Sequence, residues 1–137
     1  MSYHLTFQKS ALYNTSKEGV TVGVRLTLNG QSVVCDAKID TGASSCIFER
    51  TLGENLGINI EGGLQQRFGT VTGSFLTYGH EVTLSVLDIE FDALVYFADD
   101  ESFTRNVLGQ RGWLDRVRLG IVDYEGRFYL SYYGERA

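Results

Sequence analysis

Residues 19–39 constrain the fold more than any other part of the chain. Residues 20–28 read VTVGVRLTL, so apolar side chains alternate with polar or small ones. A period of two is typical of a β-strand with one buried face. Asn29-Gly30 follows directly and favours a tight two-residue turn, after which residues 31–39 can return. The sequence therefore predicts a β-hairpin of two long strands, Gly19–Leu28 and Gln31–Ile39.

The rest of the chain predicts a mainly β protein with one or two short helices. Residues 66–79, QRFGTVTGSFLTYG, are polar, aromatic and glycine-rich, and we expect them to form a long, exposed, flexible hairpin. No linker interrupts the sequence, so a single domain over residues 1–137 is expected. The other predicted elements are an edge strand at 3–8, a helix at 48–56 ending at Gly57, strands at 82–87 and 91–97 around a turn at 88–90, a helix at 113–117, and a hairpin of strands at 118–122 and 127–133.

Composition argues against several classes of function. The net charge is −5 and the cations are scattered, which does not fit the basic patch of a nucleic-acid-binding protein. The first residues lack a signal-peptide pattern, and the longest apolar run, residues 93–98, is too short for a membrane span. The two cysteines, Cys35 and Cys46, form neither a disulfide framework nor a zinc-ligand set. We expect a cytoplasmic protein that needs no metal or other cofactor and that binds neither a membrane nor nucleic acid.

One short segment carries groups suited to catalysis. The second strand of the hairpin ends in Asp40, and Thr41, Gly42, Ala43 and Ser44 follow. Glycine at position 42 permits close backbone approach and a positive φ. The hydroxyls of Thr41 and Ser44 are potential donors to the carboxylate, and Ala43 leaves space beside it. Asp-Thr-Gly can also be an ordinary turn, so the tripeptide alone does not establish a site.

Asp40 gains catalytic power only if a second carboxylate lies against it. Two carboxylates about 3 Å apart cannot both ionise, so they share one proton. The ionised partner can then take a proton from a bound water as general base, while the protonated partner acts as general acid on a carbonyl oxygen. This chemistry hydrolyses amides.

Residues 39–44, Ile-Asp-Thr-Gly-Ala-Ser, resemble the catalytic loop of the retropepsins, the retroviral-type aspartic proteases, and of their bacterial relatives. Val107-Leu108-Gly109 lies where that family has two apolar residues and a glycine, and the predicted helix follows it as in the family. Within the predicted hairpin, residues 68–79 are similar in position to the family's flap, which closes over substrate. The resemblance covers roughly residues 20–133 and implies a closed β-barrel of the acid-protease fold.

The resemblance also implies roles for individual residues. Asp40 would be the catalytic residue of an aspartic endopeptidase, and Thr41 would bond to its twin loop across a dimer. Gly42 would offer backbone groups beneath the substrate, Ala43 would complete the active-site loop, and Ser44 would be a weaker donor. The tip of the flap would comprise Thr70, Val71, Thr72, Gly73 and Ser74.

A single Asp-Thr-Gly in a chain of 137 residues implies a homodimer, since the second aspartate has to come from another copy. The partners implied are therefore a second subunit and a peptide or protein substrate. One departure concerns Gly109-Gln110-Arg111, where the family often has Gly-Arg-Asp or Gly-Arg-Asn. Without that arginine and acid, the ion pair that usually braces the catalytic loop is in doubt.

Alternative interpretations remain open at this point. A retropepsin-like module could bind peptides or a partner without cleaving them, with Asp40 as a relic. An unrelated small β-barrel could bind an apolar ligand. His80 could act as a base, although no nucleophile elbow accompanies it. Cys46 is more consistent with a small buried thiol than with a redox group. Four aromatic residues near the end of the chain could form a ligand shelf but fit strand packing better: Phe128, Tyr129, Tyr132 and Tyr133.

Overall fold

The computed structural model describes residues 1–133 of the chain. Over this range the chain forms ten β-strands, one α-helix and three 3₁₀ turns. The strands are β1 Lys9–Leu12, β2 Val20–Leu28, β3 Gln31–Ile39, β4 Ile47–Phe48, β5 Leu64–Thr70, β6 Gly73–Val86, β7 Ile89–Ala98, β8 Val107–Leu108, β9 Val117–Val122 and β10 Arg127–Tyr132. The helix α1 is Arg50–Asn55, and the 3₁₀ turns are Ile60–Gly62, Leu114–Arg116 and Asp123–Glu125.

The predicted hairpin of β2 and β3 is confirmed. The strands pair antiparallel from Val20 opposite Ile39 to Leu28 opposite Gln31. Asn29 and Gly30 both have positive φ, 50° and 81°, as a tight hairpin turn between twisted strands requires. The alternation of β2 matches its burial, because the even-numbered side chains from Val22 to Leu26 point into the core.

The larger sheet forms a ring of paired strands. Its order is β2-β3-β8-β4-β7-β6-β5, and β2 also pairs with β6. That extra pairing, through residues 25–27 and 83–85, joins β2 to the far side of the sheet. Six strands therefore enclose the core, while β5 lies outside the ring and pairs with β6 alone. The mainly β fold is as the sequence predicts.

The interior of this ring is filled by large apolar side chains. Trp113, Phe48 and Phe97 are fully buried and belong to one continuous core cluster. A smaller sheet of order β1-β10-β9 packs beside it and contributes Phe128 and Leu130 to the same cluster. Phe128 therefore packs in the core, and Tyr129 packs against Phe7 with ring centroids 5.6 Å apart. Strand packing is thus the role of these two aromatic residues.

The hairpin predicted at 66–79 is formed by β5 and the first half of β6. Thr70 pairs with Gly73, so the turn consists of Val71 and Thr72. Strand β6 continues without a break to Val86, and the strand predicted separately at 82–87 is its second half. The turn to β7 is formed by Leu87 and Asp88, with φ of 51° and 65°; it begins one position earlier than predicted and is one residue shorter.

Three predicted elements need correction. The edge strand expected at 3–8 is wrong: pairing with β10 begins at Lys9, because residues 127–130 of β10 find their partners at 9–12. The helix expected at 113–117 is only one 3₁₀ turn, since Gly112 has a φ of 101° before it and Val117 already belongs to β9. The helix expected at 48–56 begins at Arg50, because Phe48 is part of β4. Gly57 ends it as predicted, with a φ of 81°.

Arg50 ties α1 to the loop that follows β7. Its guanidinium lies 3.0 Å from the Glu54 carboxylate, 2.8 Å from that of Glu61 and 3.6 Å from that of Asp99. It also donates to the Asp99 carbonyl at 3.2 Å. The hydrogen bond from Arg50 lowers the pKa of Glu61. This cluster fixes the start of the segment between Ala98 and Val107, which approaches the flap.

Candidate active site

Asp40 is positioned by the barrel itself. It directly follows β3, which pairs in parallel with β8 through Lys38 opposite Val107 and Ile39 opposite Leu108. The Asp40 backbone N–H donates to the Leu108 carbonyl at 2.9 Å, so the ladder continues to the aspartate. Ile39 and Leu108 are buried while Asp40 is exposed. The strand thus delivers a solvent-accessible carboxylate from a rigid element.

A backbone N–H, rather than a hydroxyl, orients this carboxylate. The Gly42 N–H donates to Asp40 Oδ1 at 2.9 Å, and the Ala43 N–H donates to the Asp40 carbonyl at 3.1 Å. Among residues 1–133, neither the Thr41 nor the Ser44 hydroxyl donates to the carboxylate, contrary to expectation. The expected positive φ at Gly42 is also wrong. Glycine matters there for space, because a β-carbon would lie 3.3 Å from Oδ1.

The loop after Asp40 is braced by the segment after β8. Backbone N–H groups of Gln110 and Arg111 donate to the carbonyls of Ala43 and Ser44, at 2.8 and 3.0 Å. The Gln110 side-chain amide donates to the Thr41 carbonyl at 2.9 Å. In the described part of the chain every ion pair involves Arg50, so Arg111 does not supply the family's brace. The hydrogen bond from the neutral Gln110 amide to the Thr41 carbonyl braces the loop instead.

Gly109 allows the two segments to meet. A β-carbon at this position would lie against the Ser45 carbonyl oxygen and 2.8 Å from the Ala43 carbonyl oxygen. Both are backbone atoms that cannot rotate away. The Gly109 N–H also points at Cys46 Sγ, 3.4 Å distant. Cys46 is fully buried, and burial raises the pKa of its thiol to about 12, so the thiol stays protonated and acts as a packing group.

A cleft of about 560 Å³ lies between the Asp40 loop and the flap hairpin. Its floor includes Asp40, Gly42, Ala43 and Ser44, and its roof includes Thr70. The structure thus brings together four of the five predicted loop residues and one of the five predicted tip residues. The cleft is further lined by Thr21, Asp36, Lys38, Ile47, Phe68, Gly69, Phe75, Phe103, Arg105, Asn106 and Val107.

The remaining predicted residues lie outside the cleft lining. Thr41 is exposed next to Asp40, and its hydroxyl makes no hydrogen bond within residues 1–133. Val71, Thr72, Gly73 and Ser74 form the exposed end of the flap, where the Thr70 hydroxyl donates to the Gly73 carbonyl at 3.3 Å. These tip residues project beyond the protomer's own cleft.

One wall of the cleft is aromatic, and two of its members, Phe68 and Phe103, were not predicted from the sequence. Phe75 on the flap stacks on Phe103 with ring centroids 4.9 Å apart, and Phe68 contacts Phe75 at 5.9 Å. Tyr96 on β7 meets Phe68 edge to face at 5.2 Å. The flap is therefore held to the barrel on both flanks by aromatic contacts. Phe103 lies in an acidic loop. The one sequence signal that could have identified it is an aromatic residue in an otherwise polar segment.

Other candidate chemistry lies elsewhere. His80 is half-buried on β6, and its Nε2 lies 2.9 Å from the Ile60 carbonyl oxygen, away from the cleft lining. No group of three His, Cys, Asp or Glu residues within residues 1–133 could hold a metal ion. Over the same residues, no helix combines the length and hydrophobicity needed to cross a bilayer.

A barrel whose third strand ends in an Asp-Thr-Gly loop, beneath a flap hairpin, defines a retropepsin-like aspartic protease fold. The family model for aspartyl proteases matches residues 24–112, and the chain belongs to that family. Among solved structures, the fold is similar to EIAV protease complexed with the inhibitor HBY-793. The TM-score is 0.53 at 21% sequence identity, over 73% of this chain and 88% of the viral one. Comparison with curated proteins finds no match.

Proposed function

We propose that this protein is an aspartic endopeptidase that works as a homodimer. Two Asp40 carboxylates, one from each subunit, activate the water that attacks the scissile peptide bond. The observation that carries this proposal is the exposed Asp40 carboxylate on the floor of a cleft that a hairpin roofs over. Membership of the aspartyl protease family supports it.

The dimer follows from the incompleteness of the site in one chain. One subunit supplies a single Asp-Thr-Gly loop, and a two-fold axis beside it places each Asp40 opposite its twin. Thr41 is the neighbouring group that fits this interface, since its hydroxyl is exposed and unbonded within the described chain. In the dimer we assign it a hydrogen bond to the partner loop. The exposed flap tip, residues 71–74, would cover the substrate from above.

The chemistry of such a pair combines two roles in one site. The ionised carboxylate takes a proton from the water, and the protonated one donates to the carbonyl oxygen of the substrate. The Gly42 N–H, which donates to Oδ1, holds the carboxylate in one orientation. Ser44 and the Gly42 backbone lie on the same floor and can bind the extended peptide.

A silent module that binds peptides through the same cleft is the alternative. It differs only in the absence of cleavage, so a peptidase assay distinguishes the two. A barrel that binds an apolar ligand in its interior is not supported, because Trp113, Phe48 and Phe97 fill that interior. The family match excludes an unrelated fold.

The pH dependence of cleavage tests the proposal. Because activity requires the singly protonated pair, we expect kcat/KM to peak at roughly pH 4–6. It falls at higher pH as the shared proton leaves and at lower pH when both carboxyls are protonated. A profile that rises through neutrality and stays high above pH 8 contradicts an aspartate pair. The measurement uses peptides with apolar residues flanking the scissile bond.

The acid side of that profile requires a control for unfolding. The hydrogen bond from Arg50 lowers the pKa of Glu61 below its ordinary value of 4.5. The ionised pair therefore stabilises the fold at pH values above 4.5, and this stabilisation is lost as the pH falls through the lowered pKa. Circular dichroism at each pH identifies any loss of folded enzyme. Only the decrease measured on folded protein is assigned to the catalytic pair.

Replacing Gln110 tests the neutral brace of the active-site loop. Gln110→Met removes the donor to the Thr41 carbonyl, and Gln110→Glu places an acceptor against it. We expect kcat to fall roughly tenfold or more with little change in KM, since catalytic groups tolerate little displacement. Gln110→Arg restores a donor and should retain most activity. Equal kcat for wild type and Gln110→Glu would show that the brace is dispensable.

A further inference from the structure

Two cationic side chains in the cleft have no part in the chemistry proposed above. Lys38 lies on β3 two residues before Asp40, so the two side chains share one face of the strand. Arg105 lies just before β8, the strand that pairs with β3. Both line the cleft together with Asp40.

Neither cation is neutralised within the protomer. The ion pairs formed among residues 1–133 all belong to Arg50, and none involves Lys38 or Arg105. Both side chains are exposed. The Arg105 guanidinium lies 5.9 Å from the centroid of Phe103, and the Lys38 stem passes 3.1 Å from where a β-carbon of Gly19 would lie.

One non-catalytic carboxylate faces the same space. Asp36 lies on the same face of β3 as Lys38 and also lines the cleft. Apart from Asp40, the cleft therefore holds two cations and one carboxylate. When a bound peptide excludes water, a cation without a counter-ion is destabilised. A carboxylate on the peptide would remove that cost.

We propose that Lys38 and Arg105 are specificity-determining residues that select an acidic side chain close to the scissile bond. The aromatic wall of Phe68, Phe75 and Phe103 provides an apolar surface in the same cleft. The substrate class is therefore a peptide with a Glu or Asp near a large apolar residue. This inference rests on the proposed function, because it assigns the cleft to the substrate.

The experiment begins with a mixed peptide library, from which mass spectrometry identifies a cleaved sequence. Peptides of that sequence are then made with Glu, Gln or Lys at each position flanking the cleaved bond. We expect one position where Glu exceeds Lys in kcat/KM by roughly two- to fivefold, the range of exposed ion pairs. Raising the salt concentration should reduce this ratio.

Charge-reversal variants assign the preference to the two residues. Lys38→Glu together with Arg105→Glu should invert the ratio so that Lys exceeds Glu. The neutral pair Lys38→Gln and Arg105→Gln should bring it near one. Arg25→Glu is the matched control, since Arg25 is exposed on β2 outside the cleft lining and should leave the ratio unchanged.

Failure of this inference is distinguishable from failure of the proposed function. Cleavage at equal rates of Glu, Gln and Lys peptides would overturn the specificity while leaving the peptidase intact. If no peptide is cleaved, the peptidase proposal fails. The preference for Glu over Gln and Lys is then tested as binding, by fluorescence anisotropy of labelled peptides from the library. Binding that is insensitive to peptide charge would overturn the inference in that case too.

Discussion

Replacing Asp40 by Asn is expected to abolish peptide cleavage and to leave the fold intact. The amide cannot take a proton from water, and it ends the sharing of one proton between two carboxylates. General acid and general base contributions are each about 10²–10⁴-fold, so kcat should fall by several orders of magnitude. The side chain keeps its shape, and the Gly42 N–H can still donate to the amide oxygen. The measurement is kcat on a library-derived peptide, with circular dichroism to verify folding.

Asp88→Asn is the matched control for this change. Asp88 is exposed in the turn between β6 and β7, with a φ of 65° that Asn also tolerates. The Asp88→Asn variant carries the same chemical change outside the cleft and should keep full activity. Substantial cleavage by a well-folded Asp40→Asn protein would assign Asp40 to a structural role.

Gly109→Ala is expected to produce the second large effect. The added methyl would strike the Ser45 carbonyl and lie 2.8 Å from that of Ala43, so the loop that holds Asp40 has to move. Displacement of catalytic groups by about 1 Å can cost 10²-fold in rate. Overpacking of this kind also destabilises by about 1–3 kcal/mol. We expect kcat/KM to fall by about 10²-fold or more and the melting temperature to decrease.

Gly23→Ala provides the control for this prediction. Gly23 lies on β2, where an added β-carbon would have no neighbouring atom within 4 Å, and its φ is not in the left-handed region. This change should be neutral or slightly stabilising, because Ala restricts the unfolded chain. Wild-type activity and stability in Gly109→Ala would show that the two segments do not need this close approach.

The parts of the fold that follow local rules were predictable. The β2–β3 hairpin has a period-two pattern and an Asn-Gly turn, and both are determined by neighbouring residues. The flap hairpin was located by its glycines, and its turn at Val71 and Thr72 falls inside the expected tip. Asp40 was placed after a strand because residues 31–39 return from the Asn-Gly turn as the second strand of the hairpin.

The errors came from contacts between distant residues. The edge strand was wrongly placed at 3–8 because the alternation in that segment is weak. Which residues pair is determined by β10, far away in the sequence. The one-turn segment at 114–116 could not extend into a helix, since Val117 is the first residue of β9 and pairs with Tyr132 of β10. The donors around Asp40 were expected to be hydroxyls, whereas the fold supplies the Gly42 backbone N–H. The brace from Gln110 to Thr41 joins residues 69 positions apart, which no local pattern reveals.

The central claim is that each active site contains one Asp40 from each of two subunits. Mixing wild-type protein with Asp40→Asn protein tests it directly, at concentrations where sedimentation shows dimers. Wild type is held constant while the variant is added in increasing amounts. If the site is shared, mixed dimers are inactive, so an equal amount of variant should reduce activity to about half and a large excess should nearly abolish it. Activity that stays constant as the variant is added to a dimeric, freely exchanging protein would show that each subunit works alone and would contradict the account.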